Sequence, residues 1–472
     1  MPNTSPSCPY VAGAAILIAA VVLLLAVTAV RAAAPAGNKT RAALLDELGE
    51  LEAARRQNPA DAGVAINCAR ALYQSGQFGK ALDLVLPLAE DADADREALS
   101  LAARLAYLTG RYKLAATTYQ RLVEDSSGKP GSTLMDQVNL AMAYYQINEF
   151  DKIKKIPFPA GVRLPNLELV KAFDQPPYQL SWSNDERVAR VPFLVSDPLP
   201  LVSVEFNGRP VTVIFDTGAD IFILDPEIAS ELGIQTVATA LGSFGGGKRA
   251  KIGFAKIDSV RVGDLTFNHV PIMTLPTTRF SEGFADGKYK IGGFIGTAAL
   301  RQCLATIDYE HARMIFRQRS PAGVEQLRKD LGGRDVVEMP FALQSTHMMM
   351  ARGSLNDRDG LTFFVDSGLA SEAAFSAPRQ TLEYAGIPIP ETRLREGPGG
   401  GGGAWASGEF AIKRLALGDL IQTNLKGEYG SRTPSSYWEH GFIQDGLISH
   451  RFLRQYASWT IDFDGMRYVF AK

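Results

Sequence analysis

Three kinds of hydrophobic pattern follow one another along the 472-residue chain. Residues 11–30 form an apolar run without a charged side chain. Between residues 40 and 156, apolar residues recur every three or four positions, a spacing typical of amphipathic helices. From residue 198 onward, short runs of β-branched and aromatic residues are separated by glycine-containing turns, which predicts strands. The pattern therefore predicts a hydrophobic N-terminal segment, an all-α domain and an all-β region.

The helical region contains a repeated motif. It occurs as ALYQSGQFGKA, AYLTGRYKLAA and AYYQINEFDKI, which begin at residues 71, 106 and 143. This pattern resembles the tetratricopeptide repeat, whose helix pairs stack because one pair alone cannot bury its apolar face. The resemblance implies a separate all-α solenoid over residues 40–156 that recruits a protein substrate or partner, with Gly76 and Gly110 at close helix crossings. An ordinary helical bundle is the alternative.

A proline-rich stretch separates the helical region from the β region. Prolines interrupt any long helix between residues 157 and 197, so this stretch is interpreted as a linker. Its final part, residues 190–195, is suited to an edge strand of the following domain.

The most informative part of the β region, residues 202–224, is a hairpin that ends in an acidic turn. Asn207-Gly208 is the pair that most readily supplies the two positive φ angles of a tight turn. The second strand then runs directly into Asp216 and the sequence Thr-Gly-Ala-Asp. A carboxylate between two apolar strands must be hydrogen-bonded, paired or protonated, which makes Asp216 a candidate functional residue.

A second copy of this element follows later in the chain. The segment LTFFVDSG places Asp366 150 residues after Asp216. The segment GFIGTAALRQC from residue 293 also matches GLISHRFLRQY from residue 446, and glycine clusters recur near residues 242 and 397. Matches in the same order predict two homologous halves, residues 198–320 and residues 335–472.

These motifs resemble the aspartic proteases of the pepsin and retropepsin group, and within it the bacterial retropepsin-like proteins. The resemblance covers residues 178–472 and rests on an apolar-apolar-Asp-[Thr/Ser]-Gly motif with a later apolar-apolar-Gly element. The first half carries the later element at Phe294-Ile295-Gly296, whereas the second half has Ser449 at the glycine position. Leu369 also stands where such proteins usually have a small residue. The resemblance implies an all-β bilobal fold in which one chain supplies both halves of the site.

The resemblance further implies an aspartic endopeptidase with Asp216 and Asp366 as its catalytic dyad. Like charges about 3 Å apart cannot both ionise, so one carboxylate activates a water while the other protonates the leaving nitrogen. Thr217 and Ser367 would form crossed hydrogen bonds beneath the dyad, and Asp220 would contact the substrate main chain. The substrate-binding and supporting residues implied by the motif are Thr217, Gly218, Ala219, Asp220, Ser367 and Gly368.

The first glycine cluster, residues 242–249, matches the glycine and lysine positions of a phosphate-binding loop motif, but its flanking sequence does not fit such a loop. Arg249 occupies the position of the magnesium-binding hydroxyl residue, and residues 252–262 alternate like a strand instead of opening a helix. The cluster is better interpreted as part of a hairpin that closes over a substrate. Phe244 and Trp405, one in each glycine cluster, are the candidate aromatic residues of such flaps.

The composition argues against several kinds of partner and cofactor. The chain has 49 basic and 51 acidic residues without a long basic run, which argues against a nucleic-acid partner. Three cysteines and five histidines show no metal-ligand spacing, so neither a metal nor another cofactor is expected. A protein or peptide substrate is the expected partner. The alternative hypothesis is a non-catalytic peptide-binding scaffold built from two degenerate protease lobes.

The apolar N-terminal segment predicts a signal peptide or membrane anchor within residues 1–36. Its uncharged run is long enough to span a bilayer, and Ala34-Pro35-Ala36 would satisfy a cleavage site. The resemblance favours an exported protein, periplasmic or anchored in the inner membrane. The basic residues Arg31, Lys39 and Arg41 follow the run and favour a cytoplasmic body, which stays open.

Overall fold

The computed structural model describes residues 39–124, 133–159, 161–162, 164–243, 249–277, 280–281, 284, 287–390, 394–398, 404–430 and 437–472. The predicted N-terminal segment, residues 1–36, therefore lies outside the described residues. Within the described ranges, no helix combines the length and the apolar character that crossing a membrane requires.

Helices occupy the described chain before its first strand. They are α1 (Arg41–Gln57), α2 (Ala62–Gln74), α3 (Phe78–Glu90), α4 (Arg96–Leu108), α5 (Tyr112–Glu124), α6 (Leu134–Gln146), α7 (Phe150–Lys154) and α8 (Pro165–Lys171). Each helix packs on the next one along the chain, as in a repeat array. The prediction of an N-terminal helical repeat region is confirmed.

The repeated motif forms the turn between the two helices of each pair. Gly76 has φ +80, Gly110 has φ +77 and Asn148, at the same point of the third repeat, has φ 59. Glycine and asparagine adopt this left-handed conformation more readily than other residues. The two glycines therefore serve the turns, and the prediction that they lie at helix crossings is wrong.

Strands dominate the rest of the described chain. The first group is β1 (Gln179–Trp182), β2 (Val188–Pro192), β3 (Leu201–Phe206), β4 (Arg209–Phe215), β5 (Phe222–Leu224), β6 (Thr236–Ser243), β7 (Arg249–Val262), β8 (Leu265–Thr274), β9 (Ile291–Ile295), β10 (Cys303–Asp308) and β11 (Arg313–Gln318), with helices α9 (Pro226–Glu231), α10 (Thr297–Leu300) and α11 (Pro321–Leu331). The second group is β12 (Val336–Gln344), β13 (Met348–Leu355), β14 (Arg358–Val365), β15 (Phe375–Ala377), β16 (Arg395–Pro398), β17 (Ala404–Leu417), β18 (Leu420–Gly430), β19 (Gly446–Ile448), β20 (Ser458–Asp462) and β21 (Arg467–Ala471), with α12 (Arg379–Tyr384) and α13 (His450–Leu453).

These strands form two sheets. The first lobe has the order β1-β8-β5-β9-β4-β3-β7-β6. The larger sheet has the order β16-β17-β18-β15-β19-β14-β13-β12-β21-β20-β10-β11-β2, so it combines the second lobe with strands from both halves. Pairing of β10 with β20 joins the lobes, and the hydroxyls of Thr306 and Thr460 lie 2.7 Å apart across it.

The pairing pattern of the first lobe recurs in the second. Strand β4 runs parallel to β9 with Phe215 opposite Ile295, and β14 runs parallel to β19 with Val365 opposite Ile448. Strand β5 lies antiparallel to β9, as β15 does to β19. The prediction of a β-rich, two-lobed region is confirmed.

The interpretation of residues 157–197 as a linker is wrong for most of that range. It contains α8, β1, which pairs with β8, and β2, which pairs with β11 at the edge of the large sheet. Pro165 begins α8, where its missing N–H has no partner to lose, and Pro192 ends an edge strand. These prolines therefore mark the ends of elements instead of a linker.

The helical array and the second lobe share one apolar core. Ala342, Met348, Met350 and Phe364 of the second lobe belong to the same buried cluster as the helices. One lobe therefore completes the apolar core of the helical array.

Polar contacts reinforce this contact surface. Arg41 of α1 and Asp445 form a buried ion pair, with Arg41 Nε 3.0 Å from Asp445 Oδ1. At the α2–α3 turn, Gly76 lies so close to the second lobe that an added Cβ would fall 2.1 Å from Thr362 Oγ1. The array is therefore held on the β region by its turns as well as by its apolar side chains.

Candidate active site

Equivalent strand ends position the two acidic residues of the repeated motif. Asp216 follows β4 and donates its backbone N–H to Ile295 O at 3.1 Å, whereas Asp366 follows β14 and donates to Ile448 O at 3.0 Å. In the first lobe the hairpin turn forms as predicted, with Asn207 at φ 47 and Gly208 at φ 81. Each acid thus leaves a parallel pair of buried strands at the same point of its lobe.

The two carboxyl groups face each other between the lobes. An ideal Cβ added to Gly218 would lie 2.8 Å from Asp366 Oδ1 and 3.0 Å from Asp216 Oδ1, so both oxygens border one small space. A Cβ added to Gly368 would lie 2.1 Å from Asp216 Oδ1. The two glycines are therefore required because any side chain there would displace a carboxylate.

A crossed hydrogen-bond network holds the two turns together. The backbone N–H of Thr217 donates to Ser367 Oγ at 2.9 Å, and the N–H of Ser367 donates to Thr217 Oγ1 at 2.9 Å. Each hydroxyl also donates across the lobes, Thr217 to Val365 O at 3.0 Å and Ser367 to Phe215 O at 3.3 Å. Because the donors are reciprocal, neither turn can shift without breaking bonds to the other lobe.

Burial favours the neutral, protonated form of both carboxyl groups. Asp216 is fully buried and Asp366 is 2% exposed. Burial raises the pKa of Asp216 to about 6, although N–H donors such as Gly218, 2.7 Å from Asp216 Oδ1, act in the opposite direction. Burial and, second, the neighbouring charge of Asp216 raise the pKa of Asp366 well above its ordinary value. The geometry favours one proton held between the two groups.

Asp220 lies next to this pair on the first lobe only. Burial raises its pKa to about 6, opposed by a side-chain hydrogen bond from Thr346 and by the charge of Arg301. The preceding residue, Ala219, accepts the backbone N–H of Thr297 at 2.9 Å and thereby ties the turn to α10. The second lobe has Ala370 at the position of Asp220. The two lobes therefore offer different groups beside the dyad.

The two departures from the family motif are accommodated in the second lobe. Gly296 has no room for a side chain, since an added Cβ would lie 2.4 Å from Ile221 O. Ser449 at the matching point caps α13, accepts the N–H of Arg451 at 3.2 Å and donates to Ala373 O at 2.6 Å. Leu369 is 1% exposed and packs in the interior. Neither change displaces Asp366 from its place opposite Asp216.

Each glycine cluster is flanked by two strands that pair with each other. Strands β6 and β7 pair with Ser243 opposite Arg249, and β16 and β17 pair with Pro398 opposite Ala404. The strand after the first cluster agrees with the rejection of a phosphate-binding loop. Phe244 and the side chain of Trp405 lie outside the described part of the chain.

Sequence reasoning did not identify Thr346 and Arg301 as neighbours of Asp220. Arg301 could have been found, because its Arg-Gln pair recurs at Arg454 in the second half. Thr346 lies in a short turn between strands and carries no local signal.

One cluster in the described residues could offer metal ligands. Asp308, Glu310 and His311 have ligand atoms within 4.8 Å of one another. Asp308 and Glu310 are already paired with Arg313 and Arg334, so we assign the cluster no metal.

Comparisons with known proteins bear on both regions of the chain. Residues 202–298 match the family model described as Aspartyl protease, and residues 48–105 match the model described as Tetratricopeptide repeat. The first match includes Asp216 and Gly296 and ends before Asp366. No curated protein matches the chain.

A solved structure of a retropepsin-like aspartic protease from Rickettsia conorii is similar over 29% of this chain and 91% of that chain, with 15% identity and a TM-score of 0.20. The two family-model matches show that the chain carries an aspartyl protease-like region and tetratricopeptide-type repeats.

Proposed function

We propose that this chain is an aspartic endopeptidase in which Asp216 and Asp366 act together on a peptide bond. The observation that carries the proposal is the contact between two buried carboxyls that share the space between the lobes. A pair of buried acids is unfavourable for structure alone, because burial and like-charge repulsion both oppose ionisation of the two carboxyls. Its retention is better explained by chemistry that needs both groups.

The proposed mechanism follows from the protonation of the pair. With one proton shared, the ionised carboxylate removes a proton from a water that attacks the peptide carbonyl. The protonated partner stabilises the developing oxyanion and then donates its proton to the leaving nitrogen. Thr217 and Ser367 keep the two acids at a constant separation during these transfers.

The experiment that tests the proposal measures cleavage of a mixed peptide library by the full chain and three variants. Asp216→Asn and Asp366→Asn each keep the side-chain shape but cannot share a proton. We expect either change to lower the rate at least about a thousandfold, and the double variant to lose little more, because the pair acts as a unit. The exposed Asp419→Asn is the matched control and should keep parental activity.

Two outcomes would contradict the proposal. Absence of cleavage by the parent, with peptide binding intact in all variants, would favour a non-catalytic peptide-binding scaffold. Parental activity of Asp366→Asn beside an inactive Asp216→Asn would mean that the second lobe supplies no catalytic acid.

We further propose that the helical array recruits a protein substrate or partner. Repeat arrays present extended surfaces for protein binding. Because turns of this array rest on the β region, recruitment would use its other faces.

A further inference from the structure

The strand pair that carries Asp366 is short. Strands β14 and β19 lie parallel from Phe363 opposite Gly446 to Val365 opposite Ile448. Asp366 follows β14, and its backbone N–H donates to Ile448 O at 3.0 Å. The place of Asp366 therefore depends on how the start of this pair is held.

Asp445, the residue before β19, closes the start of the pair. Its backbone N–H donates to the carbonyl of Thr362 at 2.8 Å, and its Oδ2 accepts the N–H of Thr362 at 2.8 Å. Both residues are buried, and an unpaired buried N–H costs about as much free energy as a lost hydrogen bond. The carboxylate of Asp445 thus holds Thr362, which lies on the strand that leads to Asp366.

The first lobe has no carboxylate at this point. The match between the two halves places Gly292 at the position of Asp445 and Thr212 at the position of Thr362. A Cβ added to Gly292 would lie 2.4 Å from Val211 Cγ1, so the first lobe has no room for an acid there. The acid belongs to the lobe that the helical array contacts, and the repeated motif does not account for it.

The array supplies the cation that holds this acid. Arg41 of α1, which is 2% exposed, donates from Nε to Asp445 Oδ1 at 3.0 Å and from Nη2 to Asp445 Oδ2. Its Nη1 donates to the carbonyl of Gly360 in β14 at 3.3 Å. A bidentate pair of arginine and carboxylate fixes the orientation of both groups. One side chain of the array therefore contacts β14 and the residue that begins β19.

A second contact joins the array to the same strand. Arg352 of β13 donates from Nη1 to the carbonyl of Ser75, at the turn between α2 and α3, at 2.6 Å. The same nitrogen donates to Thr362 Oγ1 at 3.2 Å. Thr362 is therefore linked to the array through Asp445 and, separately, through Arg352.

We propose that Asp445, held by Arg41 of the helical array, is a positioning residue for Asp366 and acts through the pairing of β14 with β19. The helical array is then part of the catalytic unit as well as a recruiting surface. This inference rests on the proposed peptidase function. Neither Arg41 nor Asp445 acts on the substrate, because both lie at the other end of the strand pair.

The test compares the double variant Arg41→Met/Asp445→Ala with the parent in full-length protein, using the peptide that the parent cleaves best. Removing the cation and the carboxylate together leaves neither charge buried alone. We expect kcat to fall about tenfold to a hundredfold with KM within about twofold, because a displaced catalytic acid slows the reaction without weakening substrate binding. A parental kcat, or a rise of KM alone, would overturn the proposal.

The matched control is Arg96→Met/Asp136→Ala. It removes an ion pair between α4 and α6, inside the array, and leaves the contact with the second lobe in place. Both kinetic constants should stay within about twofold of the parent. An equal loss of kcat in this control would mean that general loosening of the array lowers the rate, and would overturn the role of Asp445.

A conservative variant, Arg41→Met/Asp445→Asn, keeps a side-chain oxygen that can accept the N–H of Thr362. We expect its kcat to lie about threefold to tenfold below that of the parent and above that of the alanine variant. A parental kcat would overturn the role of Arg41, and a kcat no higher than that of a folded alanine variant would overturn the role of the Asp445 side chain. If the alanine variant does not fold, the comparison of the asparagine variant with the parent decides.

A second measurement does not depend on activity. Hydrogen exchange of the backbone amide of Asp366, followed by NMR, should be about fivefold to tenfold faster in Arg41→Met/Asp445→Ala than in the parent and unchanged in Arg96→Met/Asp136→Ala. Equal exchange in the first variant and the parent would overturn the positioning role. Absence of dyad-dependent cleavage in the parent would instead overturn the proposed function, so the two failures are distinguishable.

Discussion

Replacing Asp216 by asparagine should stabilise the protein, by an amount that depends on pH. The carboxyl is fully buried, and burial raises its pKa from 3.8 to about 6. A raised carboxyl pKa means that the folded state binds the proton more tightly than the unfolded state. The free energy of unfolding therefore falls as pH rises from about 4 to about 6 and stays lower above that range.

The magnitude follows from the size of the shift. Each pKa unit corresponds to 1.36 kcal/mol, so a shift of roughly two units costs about 3 kcal/mol once the group is ionised. Asparagine avoids this cost, keeps an oxygen for the N–H of Gly218, and removes the charge that faces Asp366. We expect Asp216→Asn to be about 3 kcal/mol more stable than the parent at pH 7.5 and nearly equal to it at pH 4.

Urea unfolding of the parent, Asp216→Asn and the control Asp419→Asn at both pH values measures this difference. The control is exposed and should stay within about 0.5 kcal/mol of the parent throughout. A gain of the same size at pH 4 and pH 7.5 would show that packing, and not ionisation, separates Asp216→Asn from the parent. No gain at pH 7.5 would refute the reasoning that burial raises the pKa of Asp216.

Two further predictions concern the contact between the helical array and the second lobe. Arg41→Met should lower the free energy of unfolding, measured by urea titration, by about 3–5 kcal/mol, because it leaves the carboxylate of Asp445 buried without the Arg41 cation. Adding Asp445→Asn to this variant should restore much of the lost stability. The control Lys426→Met breaks an exposed ion pair with Glu409 and should cost less than about 1 kcal/mol in the same titration. Gly76→Ala should lower the free energy of unfolding by at least about 2 kcal/mol, and Gly233→Ala by about 1 kcal/mol. Both glycines have a positive φ, but only at Gly76 would the added methyl group collide with a neighbour, Thr362. Equal losses in thermal unfolding would mean that backbone strain alone determines the effect.

Much of the fold could be predicted because its signals are local. Asn207-Gly208 encodes a tight turn through its φ preferences, and the strand alternation around it determines which side chains are buried. The prediction of a linker over residues 157–197 failed because prolines occur both in linkers and at the ends of helices and strands. Pro165 begins a helix, and only its packing against the lobe distinguishes that role from a break.

The candidate site, too, could be predicted from the sequence only in part. The pairing of Asp216 with Asp366 could be predicted because the second half of the chain repeats the first in order. The hydrogen bond from the Tyr107 hydroxyl to the carbonyl of Ser345 could not be predicted, since the two residues lie 238 positions apart. A contact made to a backbone carbonyl leaves no pattern in the sequence that carries the carbonyl.

The sequence by itself determined the local conformations of this protein: the repeated helix pairs, the two strand-Asp-[Thr/Ser]-Gly turns and the strand pairs that flank the glycine clusters. Periodicity and φ preference act over a few residues, so they can be read without knowing the partners. Only the tertiary structure decided that the array rests on the second lobe, with Arg41 buried against Asp445 404 residues later. Such contacts depend on the complementarity of two finished surfaces, and neither surface exists until the local elements have packed.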